Sequence, residues 1–458
     1  MGIDSRMSMT CEVADDPETG RKHAVQPVAL PHADAHSSAS VLDRAARRAL
    51  LARLDKLSGG RIHLHDGGDL VRLGDGDALA ARVDVLSPRF YRRAVLGGSL
   101  AIAESYLAGE WACDDLTSLF RIFLRDGGAG RRADGPLTRL FQLGNRIVHR
   151  LRPNTRSGSR KNIEAHYDLG NDFFQLLLDE TLAYSSGIFP TPHATLHEAS
   201  IEKIDRLCRK LDLRPGDQLL EIGTGWGGLA LHAAAHYGCR VTTTTISRRQ
   251  FDLAKRRAAD AGLSDKITFL LRDYRDLTGR FDKLVSVEML EAVGRRYFDV
   301  FFAACGRLLK PDGSAVLQTI TIPESRFARY VKSVDFIQRY VFPGGCLPSV
   351  GAVLESVGRA SELRFVHAED FGPHYARTLR EWRDRFEGRL SEVRALGYDD
   401  EFIRLWRYYL SYCEAAFEER AIGVVQLQFD GAAARRDPLD VGRAAAREIS
   451  PSVAEVRA

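Results

Sequence analysis

The chain lacks the features that would place it in a membrane, around a structural metal or in a disulfide framework. Its seven cysteines, Cys11, Cys113, Cys208, Cys239, Cys305, Cys346 and Cys413, are scattered. No pair has CxxC or any other ligand-like spacing, so no metal site is expected, and the odd, dispersed set suits reduced thiols in the cytosol. No apolar run approaches the roughly 18 residues that a membrane span needs. The N-terminus has no apolar core of the signal-peptide kind. These absences lead to the expectation of a cytoplasmic protein, at most peripheral to a membrane. There is no internal repeat. The net charge of +4 is too small to decide a partner, so the distribution of charge matters more than its sum.

What is present is a glycine turn. Leu219-Leu220-Glu221-Ile222-Gly223-Thr224-Gly225-Trp226-Gly227-Gly228 runs into the helix-like stretch Leu229 to His236. An apolar strand ends in glycines, which allow close approach of a ligand to the backbone, and a helix N-terminus follows. Gly223, Gly225 and Gly228 also satisfy the dinucleotide pattern G-x-G-x-x-G, which wants an acid about 20 residues further on. The next strand, Cys239 to Ile246, ends instead in Thr242-Thr243-Thr244-Thr245-Ile246-Ser247. A third strand, Ile267 to Leu271, ends at Arg272-Asp273-Tyr274-Arg275-Asp276, and a fourth, Phe281 to Val287, ends at Glu288. This order suits an S-adenosylmethionine methyltransferase better than a dehydrogenase. A glycine turn buried in an unrelated α/β domain is the plainer alternative.

Along the chain, residues 1–40 are polar and aperiodic and read as a disordered tail. Residues 41–130 read as an accessory α+β domain, with a helix over Ala45 to Leu57, short strands over Arg61 to Leu73 and Ala80 to Leu86, and a helix within Ser99 to Leu119. Residues 131–161 form a linker in which Arg131, Arg132, Arg139, Arg146, Arg150, Arg152, Arg156, Arg160 and Lys161 face one acid, Asp134. Leu137, Leu140, Phe141, Ile147, Val148 and Leu151 fall at helical spacing within it. Such a helix either packs on its own domain with a solvated basic face or meets anionic lipid headgroups. Nucleic acid is disfavoured, since the segment lacks interleaved aromatics. Residues 162–433 read as the catalytic α/β domain, with Ser325 to Tyr340 and Tyr375 to Phe417 mainly helical, and 434–458 as a loose tail.

Seven segments then occur in order. They are His166-Tyr167-Asp168-Leu169-Gly170-Asn171-Asp172-Phe173-Phe174, Leu182-Ala183-Tyr184-Ser185-Ser186-Gly187-Ile188-Phe189, the glycine turn, Thr245-Ile246-Ser247-Arg248-Arg249-Gln250, Val287-Glu288-Met289-Leu290-Glu291-Ala292-Val293-Gly294, Tyr340-Val341-Phe342-Pro343-Gly344-Gly345 and His374-Tyr375-Ala376-Arg377-Thr378-Leu379. Over about residues 95–430 the chain resembles the cyclopropane-fatty-acyl-phospholipid synthases and the related mycolic acid methyltransferases. The resemblance implies a class I methyltransferase Rossmann-like sheet with helical lid segments and a smaller N-terminal α+β domain. It implies S-adenosylmethionine bound by Tyr184 and Ser185 at the methionine end, by Glu221, Gly223, Gly225 and Gly227 at the turn, by Thr245 and Gln250 at the ribose, and by Tyr274 and Arg275 at the adenine. It also implies an unsaturated phospholipid substrate at a membrane surface and a homodimer.

An isolated alkene attacks an electrophilic methyl group only if both are held in line in a dry pocket. The resulting carbocation is stabilised by aromatic rings and a carboxylate, and ring closure then needs a base. The resemblance implies a bound bicarbonate as that base, held by a Cys, a Glu, a His, a Tyr and a backbone group. In this chain the Cys position is Ser186 and the His position is Gln318, while Glu291 and Tyr375 are retained and the His that commonly follows the Glu is Ala292. Ser and Gln still donate hydrogen bonds, but Gln cannot relay a proton as His does. The expected catalytic set is therefore Glu291, Tyr375, Ser186 and Gln318. Two products stay open, a cyclopropane and a methyl- or methylene-branched chain, the latter with a reductase as partner. Two further readings also stay open. One is a small-molecule methyltransferase; the other is a lipid-binding protein with a degenerate cofactor site. A nucleic-acid methyltransferase is disfavoured, because no Asn-Pro-Pro-Tyr-like run occurs.

Overall fold

The computed structural model describes residues 40–126 and 170–435. The expected N-terminal tail, the basic 131–161 linker, the His166-Tyr167-Asp168-Leu169 part of the first motif and almost all of the C-terminal tail lie outside the described residues.

The larger sheet has seven strands: β5 (Gln218–Ile222), β6 (Arg240–Thr245), β7 (Ile267–Leu271), β8 (Phe281–Val287), β9 (Leu309–Thr321), β10 (Arg364–Asp370) and β11 (Gly423–Asp430). They lie in the order β10-β11-β9-β8-β5-β6-β7. The strands β5 to β9 pair in parallel, whereas β11 is antiparallel to both β9 and β10. This is the mixed sheet of a class I methyltransferase. The chain order reverses between β5 and β8, and ligands collect in the crevice beyond the carboxyl ends of strands at such a switch point.

Local chemistry explains the elements around that crevice. The helix Leu196–Lys210 starts at a capping box in which Thr195 and Glu198 satisfy each other's backbone N–H groups. Its buried stripe runs through Leu196, Ala199, Ser200, Lys203, Ile204 and Leu207, with one lysine among apolar and small residues. Gly227, at φ +88°, caps the helix Gly228–His236, and a Cβ there would lie 3.1 Å from that of Ala254. Every position of β11 is buried, so the glutamines Gln426 and Gln428 must find partners inside the protein.

A second sheet has the order β2-β1-β3-β4, formed by β1 (Arg61–Asp66), β2 (Asp69–Leu73), β3 (Ala80–Val85) and β4 (Trp111–Cys113). The stretch Arg61 to Leu73 is thus a hairpin rather than one strand, turning at Gly67 and Gly68, both with positive φ. The run Tyr375 to Phe417 is likewise three helices, Gly372–Gly388, Leu390–Ala395 and Asp400–Glu418. The last of these packs against the helix Leu116–Arg125, with Phe120 and Tyr408 ring centroids 4.8 Å apart. One apolar core therefore runs from the small sheet's helices into the helices over the crevice. Polar contacts reinforce it: Thr117 Oγ1 donates to Glu414 at 3.2 Å and Tyr340 to Glu104 at 2.7 Å.

Candidate active site

A cavity of about 390 Å³ opens at the switch point, bounded by the glycine turn, the ends of β6 to β9 and the overlying helices. Tyr184, Ser185, Glu221, Gly223, Gly225, Thr245, Gln250 and Tyr274 all line it, as do Glu291 and Tyr375. Four expected site residues, Gly227, Arg275, Ser186 and Gln318, do not face it.

At the glycine end, Gly223 and Thr224 donate their backbone N–H groups to Thr244 at 3.0 and 3.1 Å. Gly225 holds φ +52°, and a Cβ built there meets nothing within 4 Å, so its missing side chain leaves room in the cavity. Glu221 closes β5 beneath the turn, accepting from the Thr243 hydroxyl at 2.5 Å. Burial pushes its carboxyl up to about 8, with that hydrogen bond opposing. Thr245 donates to Gln250 at 2.9 Å, which presents the Gln250 amide to the cavity where a dinucleotide enzyme would place an acid. An open cradle, a buried acid and a neutral amide fit S-adenosylmethionine.

Two of the expected cofactor residues have contacts away from the cavity. Gly227 serves helix packing on Ala254. Arg275 turns its guanidinium to Asp273, at 2.8 Å through Nε and 2.6 Å through a terminal nitrogen, and lies against the Tyr274 and Tyr297 rings. Its neighbours Arg272, Asp273 and Tyr274 face the cavity in its place.

At the other end the arrangement centres on Glu288, which the sequence reading noted as a strand end without assigning it a role. Glu288 Oε1 accepts from the Ser186 backbone N–H at 2.9 Å and from Gln318 Nε2 at 2.8 Å, and Oε2 accepts from the Tyr375 hydroxyl at 2.7 Å. Its own N–H donates to the Gln318 carbonyl at 2.7 Å. The residue sits at φ +48°, a left-handed conformation that a non-glycine residue adopts only when its surroundings hold it there. Gln318 is itself oriented, because its Oε1 accepts from Gln426 at 3.0 Å and Gln426 accepts from Lys210 at 2.7 Å. The Ser186 hydroxyl donates to the neighbouring Gly187 carbonyl at 3.0 Å. These bonds are why Ser186 and Gln318 face Glu288 rather than the cavity.

Glu291 stands beside this group on the short helix Leu290–Val293. One of its oxygens accepts the Ile320 N–H, and Oε2 is buried without a hydrogen-bond partner among the described residues. Burial first, and the Glu288 charge second, push its carboxyl up to about 8. The donors at three of the positions expected to hold bicarbonate, Ser186, Gln318 and Tyr375, are therefore already engaged by Glu288. The residues present do not fit a bound bicarbonate.

Lys203 is a second residue that the sequence reading missed. Buried on the stripe of its helix, it donates from Nζ to Ser185 Oγ at 2.8 Å. Burial lowers its pKa, while Glu288, Asp179 and Glu221 oppose that shift. A lysine at helical spacing among apolar and small residues was the signal available for it. The remaining wall is aromatic. Tyr184 stacks on Trp382 with centroids 5.1 Å apart, its hydroxyl meets that of Tyr409 at 2.9 Å, and Tyr375 stacks on Phe417 at 4.4 Å.

The family model described as mycolic acid cyclopropane synthetase matches residues 154–427. The chain is 40% identical over 363 residues to tuberculostearic acid methyltransferase UfaA1 of Mycobacterium tuberculosis, covering 75% of this chain and 81% of that protein. It is 39% identical over 354 residues to the cyclopropane-fatty-acyl-phospholipid synthase of Escherichia coli, covering 76% and 87%. Among solved structures, the mycolic acid cyclopropane synthase CmaA1 complexed with SAH and CTAB superposes with a TM-score of 0.55 at 34% identity, covering 59% of this chain and 98% of that one.

Proposed function

The chain belongs to the mycolic acid cyclopropane synthetase family, and on that premise we propose that it adds the methyl carbon of S-adenosylmethionine to the double bond of an unsaturated phospholipid acyl chain. The observation that carries this reading is one cavity in which a glycine cradle, the buried carboxyl groups of Glu221, Glu288 and Glu291 and an aromatic wall meet. S-Adenosylmethionine, when bound, supplies an electrophilic methyl group. Glu221, Gly223, Gly225, Thr245, Gln250 and Tyr274 would hold it, with Tyr184 and Ser185 beside its methionine end.

The chain's own residues do the rest. The aromatic wall excludes water and holds the weakly nucleophilic alkene in line. Tyr184, Tyr375 and Tyr409, all lining the cavity, present rings to the positive charge that develops on the acyl chain, and the carboxylate of Glu288 complements it. Loss of a proton from the transferred methyl group lets its bonding pair close the ring. No step is assigned to bicarbonate, because the donors expected for it at Ser186, Gln318 and Tyr375 already serve Glu288.

A cyclopropane is the first reading of the product. A methyl- or methylene-branched chain is the second, favoured by Ala292 and Gln318 at positions where the family pattern carries histidines and by a relative named for methyl transfer rather than for a ring. That product would call for a reductase as partner. A homodimer, and peripheral attachment of a cytoplasmic protein through the basic 131–161 segment, complete the proposal. Among the described residues no helix is long and apolar enough to cross a membrane.

The test is mass spectrometry of total fatty acids after expression in cells rich in monounsaturated phospholipid. A gain of one methylene unit per modified chain is expected, and NMR of that lipid separates ring from branch. Unchanged lipids from a protein that binds the cofactor would point to a small-molecule substrate. Unchanged lipids with no cofactor binding would leave the lipid-binding reading.

A further inference from the structure

We propose that Glu288 is the built-in carboxylate of this site: it occupies the place expected for bicarbonate, and the enzyme works without a bound anion. The inference rests on the functional reading above for its chemistry and on geometry alone for its position.

Three donors converge on the Glu288 carboxylate, the Ser186 N–H, the Gln318 amide and the Tyr375 hydroxyl, at 2.7 to 2.9 Å. These are three of the positions expected to gather around bicarbonate, and here they share an acceptor that is covalently part of the chain. Both anions offer a planar pair of oxygens, so a carboxylate serves the same donors without change of geometry. The side chain reaches that place only because residue 288 adopts φ +48° and its N–H is tied to the Gln318 carbonyl. The Lys210–Gln426–Gln318 chain fixes which end of the Gln318 amide points at it. Glu288 also lines the cavity, so it borders the space proposed for the acyl chain rather than only supporting its neighbours. Ser186 and Gln318 act as positioning residues that hold it.

The step balances without a further reactant. The alkene π pair forms the bond to the methyl carbon as the carbon–sulfur bond breaks, its electron pair remaining on sulfur. The adjacent acyl carbon is left cationic. Glu288 takes a proton from the new methyl group, the released C–H pair closes the ring, and the neutral acid returns its proton to solvent when product leaves. Burial raises the Glu288 pKa while its three donors hold it down, and a base with a raised pKa is the better proton acceptor.

The experiment compares the full chain with E288G and E288Q in buffer purged of carbon dioxide and in the same buffer with added bicarbonate. Two readouts are used: carbon transfer to vesicles of monounsaturated phospholipid, and line broadening of 13C-bicarbonate by NMR. Retained S-adenosylhomocysteine binding certifies that each variant is folded. The wild type is expected to turn over equally in both buffers and to leave the 13C line sharp. E288G should lose about a hundredfold or more of its rate, recover saturably with bicarbonate and broaden the line. E288Q should be equally slow and not recover, because its amide still fills the space.

A wild type that needs bicarbonate or broadens its line overturns the proposal. So does an E288G protein that keeps full activity in purged buffer, or one that binds S-adenosylhomocysteine yet neither binds nor responds to bicarbonate. If no protein modifies lipid in either buffer, the functional reading fails, and the 13C contrast still decides whether Glu288 fills the anion's place.

Discussion

Lys203 and Ser185 are joined inside the protein by a hydrogen bond of 2.8 Å from lysine Nζ to hydroxyl, and the buried lysine is coupled electrostatically to Glu288, Asp179 and Glu221. Lys203→Met keeps the shape of the stem but removes the charge that opposes Glu288, Glu221 and Asp179. Breaking one member of a buried charge cluster costs about 3 kcal/mol. Denaturant unfolding should show a loss of that order, and isothermal titration should show weaker S-adenosylhomocysteine binding. A midpoint unchanged from wild type would remove Lys203 from the electrostatics of the site.

Gly225→Val tests the cradle. A Cβ there meets no atom within 4 Å, so the fold loses only the strain of a branched residue at positive φ, on the order of 1–3 kcal/mol. The side chain projects into the space meant for ligand. Cofactor binding should fall about a hundredfold or more, a loss of about 3 kcal/mol, while circular dichroism stays native. Wild-type affinity would place the cofactor elsewhere.

Glu291→Gln should spare cofactor binding and cripple turnover, and it carries a pH signature. Its folded pKa, about 8, lies above the ordinary value of 4.5. A raised carboxyl stabilises the fold fully below the unfolded pKa and loses that contribution as pH rises toward the folded one. Wild-type stability should therefore fall between about pH 4.5 and 8, and the variant should fall less across that window. Parallel pH–stability curves would show that Glu291 titrates normally; comparable turnover would remove it from the mechanism.

Glu414 holds the helices over the cavity to the N-terminal part of the chain. It accepts from Arg380 and Arg383, both at 3.0 Å, and from Thr117 at 3.2 Å. Glu414→Ala leaves those donors short of an acceptor, though Arg380 keeps Glu418 at 2.5 Å. A loss of about 1–3 kcal/mol is expected, read as a lower thermal midpoint. An unchanged midpoint would mean that this clamp adds nothing.

The sequence made the glycine-turn half of the cavity legible because its chemistry is local. The turn from Glu221 to Gly228, and the missing acid after β6, lie within one strand–helix–strand unit. The other half was not legible in the same way. The acceptors and donors around Glu288 come from residues 186, 318 and 375, far apart in the chain, and its left-handed backbone leaves no trace in composition. Ser186 and Gln318 were assigned to a bicarbonate because matched positions reveal residue types but not which atom has already been engaged. Arg275 was expected at the adenine on the same grounds, and its neighbour Asp273 takes the guanidinium. The hairpin at Gly67-Gly68 was within reach of the sequence, since a glycine pair between alternating segments is a turn signal. The shared core between Phe120 and Tyr408 was not, since nothing local links residues so distant.

Position 288 has a consequence for how such sites diverge. Glycine adopts positive φ as readily as negative, so losing the side chain at 288 relieves the backbone while opening the pocket. Glutamate and glycine codons differ at a single base. On the role proposed for Glu288, one point mutation would separate a chain that inherits its carboxylate from one whose turnover tracks the dissolved carbonate around it.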